Sequence, residues 1–194
     1  IKKIANCRKP VILSTGASNI DEIKSAVKIL RKGTKKIIIM HCILNYPTKD
    51  WNANLSMILD LKKNFPQYII GYSDHTLPDS NMLNLTTAYS LGAKVIEKHF
   101  THNKKLKGND HYHSMDFKDL KNLSKNIKHI NIILGKIGKK KFVKSEVKSR
   151  KFARRSIVVK KDLKKNHRIT ESDIIALRPN IGIPVENWNK VVGK

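Results

Sequence analysis

Aromatic side chains are scarce in this sequence: five Phe, five Tyr and two Trp make up 6% of it. That leaves little ring surface on which exposed bases would stack. Cysteine is scarcer still. Cys7 and Cys42 cannot build a disulfide framework, and their spacing is not that of a zinc knuckle, so the chain reads as a protein of a reducing, cytoplasmic compartment. No apolar run approaches the ~18 residues of a membrane-spanning helix, and the opening residues "IKKIANCRKP" do not form a signal peptide, so no membrane partner is expected. The first residue is Ile rather than Met, and the amino terminus reads as a cut edge. Acidic residues are few, 15 against 40 Lys and Arg, for a formal net charge of +25. The lysines are spread as pairs (Lys35-Lys36, Lys62-Lys63, Lys104-Lys105, Lys160-Lys161, Lys164-Lys165), and only Lys139 to Lys141 form a longer run. A nucleic-acid arm concentrates its charge and interleaves aromatics. This distribution reads instead as a solvated surface, with no nucleic-acid partner.

What is present suffices for a core. The chain has 194 residues, 40% hydrophobic and 28% charged, which fits one globular domain, or a large piece joined to a small module. Four short apolar runs rich in β-branched residues begin at Val11, Ile37, Ile69 and Val95. They read as buried parallel strands in repeating strand-helix units of ~30 residues. The intervening segments carry helical spacing: Ile23, Ala26, Val27 and Leu30, with Ser18 and Asp21 as a capping box; Leu55, Ile58 and Leu59; Met82, Leu85 and Tyr89. A last helix runs from about Asp116 with Leu120, Leu123, Ile127, Ile130 and Leu134 on one stripe, and Gly135 ends it. The organisation is then a βα domain over residues 1–134, a lysine-rich linker over 135–151, and a small unit over 152–194 with a short strand from Ile157 to Val159 and a capped turn at Thr170.

Parallel βα folds place their ligand sites at the carboxyl ends of the strands. Those ends read Ser14-Thr15-Gly16, His41-Cys42 followed by Asn45-Tyr46-Pro47, Ser73-Asp74-His75-Thr76, and Glu97-Lys98-His99. If the third and fourth strands are neighbours, His75 and His99 converge and leave positions open for water and substrate oxygens, as a catalytic metal requires. The competing reading is two hydrogen-bonded histidines capping strands. Mixed nitrogen and oxygen coordination suits Mn²⁺ or a similar divalent ion. Ser14, Thr15, Gly16 and Ser73 supply small donors for a phosphate or carboxylate, and Glu97 is placed to assist proton transfer or to sit in a salt bridge. Lys98, between Glu97 and His99, is turned by alternation to the opposite face, which argues against a Schiff-base role.

The set "VILSTG", "HC…NYPT", "GYSDHT", "VIEKHFT" and "GNDH", followed by "SIVVKKDLKKNHRITESDIIALRP", resembles the sialic acid synthase family of N-acetylneuraminate, legionaminate and pseudaminate synthases. The resemblance extends over essentially the whole chain. It implies an α/β fold, the C-terminal half of a (β/α)₈ TIM barrel followed by a small, mostly β, antifreeze-like SAF domain. It implies condensation of phosphoenolpyruvate with an N-acylated amino sugar, N-acetylmannosamine or a 6-deoxy diacetamido analogue, to a nine-carbon 2-keto sugar acid and phosphate. The implied metal ligands are His75 and His99, with Mn²⁺ as the ion and Mg²⁺ or Co²⁺ as alternatives. With Glu97, read from its place at the strand end rather than from the resemblance, His99 makes the candidate catalytic pair; the family's own catalytic glutamate falls in the strands that are not visible here. Ser14 and Ser73 would bind phosphoenolpyruvate; Tyr46 and Asp110 would contact the sugar. Arg178 and Phe152 would reach the sugar's N-acyl group across a domain-swapped homodimer.

The sequence departs from the family pattern at Leu44, where a small polar residue is common and Asn45 stands beside it, and at Asn109, which replaces a common proline. Only four strand-helix units are visible and the chain stops at "VVGK". The expectation is therefore a carboxyl-terminal portion of a synthase with a truncated SAF domain, dependent on a missing N-terminal half. The alternative is a noncatalytic carbohydrate-binding or subunit-contact piece.

Overall fold

A computed structural model describes residues 1–108 and 110–194 and divides them into two compact units, Ile1–Lys136 and Ile137–Lys194. Asn109 lies outside the described residues. The first unit runs α1 (Lys2–Asn6), β1 (Val11–Ser14), α2 (Ile20–Leu30), β2 (Ile37–Cys42), α3 (Met57–Asn64), β3 (Ile69–Asp74), α4 (Leu83–Ser90), β4 (Val95–Lys98) and α5 (Phe117–Leu134). All four strands begin at the residues where the β-branched runs begin. They form one parallel, curled sheet in the order β1-β2-β3-β4, so β3 and β4 are neighbours. This is the half-barrel arrangement expected of consecutive right-handed βα units.

The two faces of the sheet differ. Ile37, Ile39, Ile70 and Tyr72 point toward the helices and pack with Ile23, Val27, Leu30, Ile58, Leu61, Leu85, Ala88 and Leu123. On the opposite, inner face Ile12 and Ile69 are 56% and 50% exposed. Farther along the same face Met40, Cys42 and Ser73 are buried, so β2 and β3 are covered on both faces over most of their length, as their apolar runs predict, and the exposure is confined to Ile12 and the start of β3. The inner row closes through Gly71: a Cβ there would stand 2.3 Å from Met40 Sδ and 2.7 Å from the Val95 carbonyl oxygen.

Helix boundaries follow side-chain chemistry. The cap of α2 is Asn19, one residue beyond the expected Ser18, and its Oδ1 accepts from the amides of Asp21 and Glu22 while Glu22 accepts from the Asn19 amide. Ser18 instead reaches back to the Gly16 carbonyl. Asp116 and Asp119 cap α5 reciprocally, and Gly135, at φ 62°, ends it. In α3 the buried pair is Ile58 and Leu61, while Leu59 faces solvent, because Leu61 rather than Leu59 lies one turn from Ile58. Along α5 only Leu123 of the expected stripe is fully buried; Ile127 is half-buried, and Leu120 and Leu134 are exposed.

In the second unit, part of the stretch read as a linker is ordered: a 3₁₀ turn over Lys144–Glu146 leads into α6 (Val147–Ala153). Antiparallel β5 (Ser156–Val159) and β6 (Ile174–Leu177) follow, then α7 (Trp188–Val191). Of the apolar side chains here only Ile174 is fully buried, and polar contacts organise the loops. Ser156 Oγ accepts from the amides of Ile181 and Gly182 at 3.0 Å and donates to the Pro179 carbonyl at 2.9 Å. Asp173 accepts from the Thr170 hydroxyl, the Thr170 amide and His167 Nε2. No helix among the described residues is long and apolar enough to cross a membrane.

Candidate functional site

Alternation along each strand sends every second residue to the inner face. Register then sets Cys42, Ser73 and Glu97 in one row, since Cys42 pairs with Ser73 and Ser73 with Glu97. Ser73 Oγ donates to Glu97 Oε1 at 2.8 Å. Burial pushes the Cys42 thiol above its usual value, with the Glu97 charge adding to the effect, so it stays protonated at neutral pH. Ser14 shares this face but pairs with Met40, one pleat below the Cys42 row. The expected pair of serines is thus on one surface but not at one level.

His75 and His99 follow β3 and β4 on the same inner side, and their ring centroids are 5.4 Å apart. The Nδ1 of His75 lies 2.9 Å from the Ile43 carbonyl oxygen. Because a carbonyl only accepts, Nδ1 carries the proton, and the neutral ring keeps the lone pair on Nε2. Tyr46 lies over this ring at 4.0 Å and is 5.7 Å from His99. Its placement comes from the loop after β2, where the Thr48 amide donates to the His75 carbonyl at 2.8 Å and the Thr48 hydroxyl to the Asn45 carbonyl. Partial desolvation raises the Tyr46 phenol, and the charges of Asp110 and Glu97 raise it further. Leu44, in the same loop, is exposed.

The loop after β4 closes the other side. A parallel bridge between Phe100 and Met115, with the Met115 amide on the His99 carbonyl at 2.8 Å, brings residues 110–115 back to the strand end. Asp110 thereby comes to 3.7 Å from His99 Nδ1. The same fold-back brings in a residue that the sequence does not single out. His113 is 1% exposed, 5.2 Å from the His99 ring, with Nε2 3.9 Å from Asp110 Oδ1. Burial first, then the neighbouring His99, lowers its basicity, with Asp110 opposing. His99, Asp110 and His113 each offer a ligand atom within 4.8 Å of the others. The available signal is the density of histidine in "NDHYHS", immediately after a strand that already ends in one.

Outside the inner face, the alternate residues of these strand ends hold the fold together. Asp74 and Lys98 form an ion pair at 2.7 Å with both side chains 1% exposed. Asp74 also accepts from the Tyr72 hydroxyl, the Thr76 amide and the Thr76 hydroxyl, and Lys98 donates to the Thr76 carbonyl. Lys98 is therefore turned away from Glu97 and His99, as alternation requires. His41 is likewise structural, donating from Nε2 to the Ala53 carbonyl at 2.8 Å.

The remaining expected residues belong to the second unit. Phe152 is exposed on α6, and Arg178 is exposed just after β6. The Asn180 amide donates to the Lys151 carbonyl at 2.8 Å, which ties the turn holding Arg178 to the helix holding Phe152.

Comparison with known proteins adds independent information. The sequence model of the NeuB family matches residues 1–139, and that of the SAF domain matches residues 154–194. An uncharacterized protein of Methanocaldococcus jannaschii is 44% identical over 100% of this chain and 56% of its own length. The N,N'-diacetyllegionaminic acid synthase of Campylobacter jejuni is 40% identical over 100% of this chain and 58% of its own length. Among solved structures, the N-acetylneuraminic acid synthetase of Leptospira borgpetersenii, in complex with citrate, superposes with a TM-score of 0.68 at 36% identity over 76% of this chain and 50% of that one. The chain spans a little over half the length of the curated relatives it matches.

Proposed function

The chain belongs to the NeuB family, and from that membership we propose that it carries the metal- and sugar-facing half of a synthase that condenses phosphoenolpyruvate with an N-acylated amino sugar. The product is a nine-carbon 2-keto sugar acid, and phosphate is released. The observation that supports this most directly is convergence: Tyr46, His75, His99, Asp110, Ser73 and Glu97 come from four separate segments and meet at the carboxyl ends of β2, β3 and β4.

The donors fit a divalent ion. His75 spends Nδ1 on the Ile43 carbonyl and keeps Nε2 available, and His99 stands beside it with a carboxylate next to its own ring. His75 and His99 would hold the ion, and when bound it supplies a Lewis acid for the sugar's aldehyde oxygen. In the reaction, C3 of phosphoenolpyruvate attacks the aldehyde carbon, whose oxygen becomes a hydroxyl. Water adds at C2, the C–O bond to phosphate breaks, and C2 becomes the ketone. The Ser73 hydroxyl orients Glu97, whose carboxylate takes the proton of the adding water. Ser14 offers its hydroxyl to the phosphoenolpyruvate oxygens, and Ser73, whose single O–H is given to Glu97, offers it there on turning from that partner. Tyr46 forms a wall against the sugar ring, and Asp110 accepts from its hydroxyls. By the family resemblance, Arg178 and Phe152 serve the sugar's N-acyl group in a partner subunit of a domain-swapped dimer.

The test is phosphate release from phosphoenolpyruvate with Mn²⁺ and each of two sugars, N-acetylmannosamine and its 6-deoxy diacetamido analogue. It is run on this chain and on a longer chain carrying the N-terminal barrel half of a relative. The expected result is release from the longer chain that requires both sugar and metal. Absence of release from both chains with every sugar overturns the proposal in favour of a noncatalytic piece.

A further inference from the structure

Four histidines in the first unit have a ring nitrogen accounted for or a defined neighbour. His41 donates to Ala53, His75 donates to Ile43, His111 shares a hydrogen bond with the Thr101 hydroxyl, and His99 faces Asp110. His113 is different. It is among the most buried side chains of the molecule, and neither Nδ1 nor Nε2 has a hydrogen-bond partner among the described residues. Buried polar groups are nearly always satisfied, so an orphan of this kind calls for a missing partner. The surroundings say what kind of partner. The rings of His99, Tyr46 and Tyr112 and the carboxylate of Asp110 stand around it, and an imidazole lone pair among imidazoles and a carboxylate is matched by a cation.

We propose that His113 is a third imidazole ligand of the ion held at His75 and His99, with Asp110 as the oxygen donor, making a three-nitrogen, one-oxygen set. This rests on the functional reading above for the presence of the ion and goes beyond it in the ligand and in the selectivity. The ligand atoms of His99, Asp110 and His113 already lie within 4.8 Å of one another, with the His99 and His113 ring centroids 5.2 Å apart; His75 is 5.4 Å from His99 but outside that group, so its ligation requires its side chain to move inward when the ion binds. His99 stands between the other two. Three imidazoles change what the site prefers. Imidazole favours Zn²⁺, Fe²⁺ and Co²⁺, whereas Mg²⁺ and Mn²⁺ favour oxygen donors. A site with only His75 and His99 from the protein completes its coordination with water and substrate oxygens and suits Mn²⁺. With His113 it favours Zn²⁺ or Co²⁺.

The experiment measures metal binding without substrates. The metal-free chain is titrated with Zn²⁺ and with Mn²⁺ in competition with a chromophoric chelator, for the wild type and for His113→Ala and His113→Gln. The second variant keeps a polar side chain of similar length should the first fold poorly. Loss of one ligand is expected to weaken Zn²⁺ by about a hundredfold, at the upper end of what even outer-shell changes cost, and Mn²⁺ by less than about tenfold, so the Zn²⁺ preference collapses. In the wild type, ¹⁵N-histidine spectra with Zn²⁺ should show three ring nitrogens shifted by ligation, one of them lost in His113→Gln. Unchanged Zn²⁺ and Mn²⁺ affinities in both variants, or only two shifted nitrogens, overturn the proposal. Failure of the wild type to bind Zn²⁺ at all also overturns it. Phosphate release is read separately: a synthase that turns over with unchanged metal affinities in the His113 variants sinks this proposal and leaves the functional reading standing. Three-histidine binding without phosphate release does the reverse.

Discussion

Replacing Lys98 with Met removes one half of the buried clamp that joins β3 to β4. The ammonium donates to Asp74 at 2.7 Å and to the Thr76 carbonyl at 2.6 Å, and both charged side chains are 1% exposed. Met matches the length of the stem, so little volume is lost, and the main effect is a carboxylate left in the interior without its counter-charge. Breaking a buried pair from one side costs ~3–5 kcal/mol. Asp74 retains the Tyr72 hydroxyl, the Thr76 amide and the Thr76 hydroxyl as donors, which places the expected loss at the low end, about 3 kcal/mol. Against a total stability of ~5–15 kcal/mol that is a large share. Urea unfolding followed by circular dichroism should show a lower midpoint with unchanged slope. Asp74→Asn should cost a comparable amount, and the double variant about as much as either single one rather than the sum. A second consequence is functional: Asp74 and Lys98 are the immediate neighbours of His75 and His99 in the chain, so Lys98→Met should also weaken metal binding. A single-variant loss below about 1 kcal/mol, or additive losses in the double variant, would refute the account of this pair as a clamp.

Three other outcomes follow from the same geometry. Ser73→Ala frees Glu97 from its 2.8 Å hydrogen bond and should lower kcat and raise KM for phosphoenolpyruvate in the longer, active chain, by a factor on the order of 10 to 100 in kcat/KM for one hydrogen bond to a charged group; steady-state kinetics that match wild type would remove Ser73 from the site. Gly71→Ala places a methyl 2.3 Å from Met40 Sδ and 2.7 Å from the Val95 carbonyl oxygen, and overpacking of this kind should cost ~1–3 kcal/mol in a thermal melt. In the second unit, hydrogen bonds from the Thr170 hydroxyl and then from His167 hold the Asp173 carboxyl below the usual carboxylate range. A depressed folded value means that its contribution is fully present above the unfolded value of ~4 and is lost as pH falls through the folded one. Acid titration of the second unit should therefore show destabilisation below about pH 4 that Asp173→Asn largely removes, and an unchanged acid profile in that variant would contradict the assignment.

Much of the candidate site is legible in the sequence, and the reason is local. Strand ends in a parallel βα fold carry the ligand site whatever the protein, so position alone picks out Ser73, His75, Glu97 and His99, and alternation alone turns Lys98 away from them. The cap of α2 falls one residue beyond its expected place because Ser18 and Asn19 are both good caps, and the turn through Ala17, at φ 57°, decides which of them meets the first free amides. The buried face of α3 departs from expectation for a similar reason: two leucines compete, and only the packing layer selects which one is covered.

The sequence by itself determined the strand-helix alternation of the first unit, the four strand starts at Val11, Ile37, Ile69 and Val95, and the family, because β-branched runs, turn residues and contiguous motifs are properties of neighbours along the chain. Tertiary structure alone decided three things. It bridged Thr48 to Thr76 and so laid Tyr46 over His75. It brought residues 110–115 back to the end of β4 and buried His113 beside His99. It paired Asp74 with Lys98, 24 residues away, in the layer behind the site. Each of these joins groups that have no fixed relation along the chain; register and loop closure bring them together, and only in the folded state does burial make an unpartnered imidazole or an ion pair costly enough to matter.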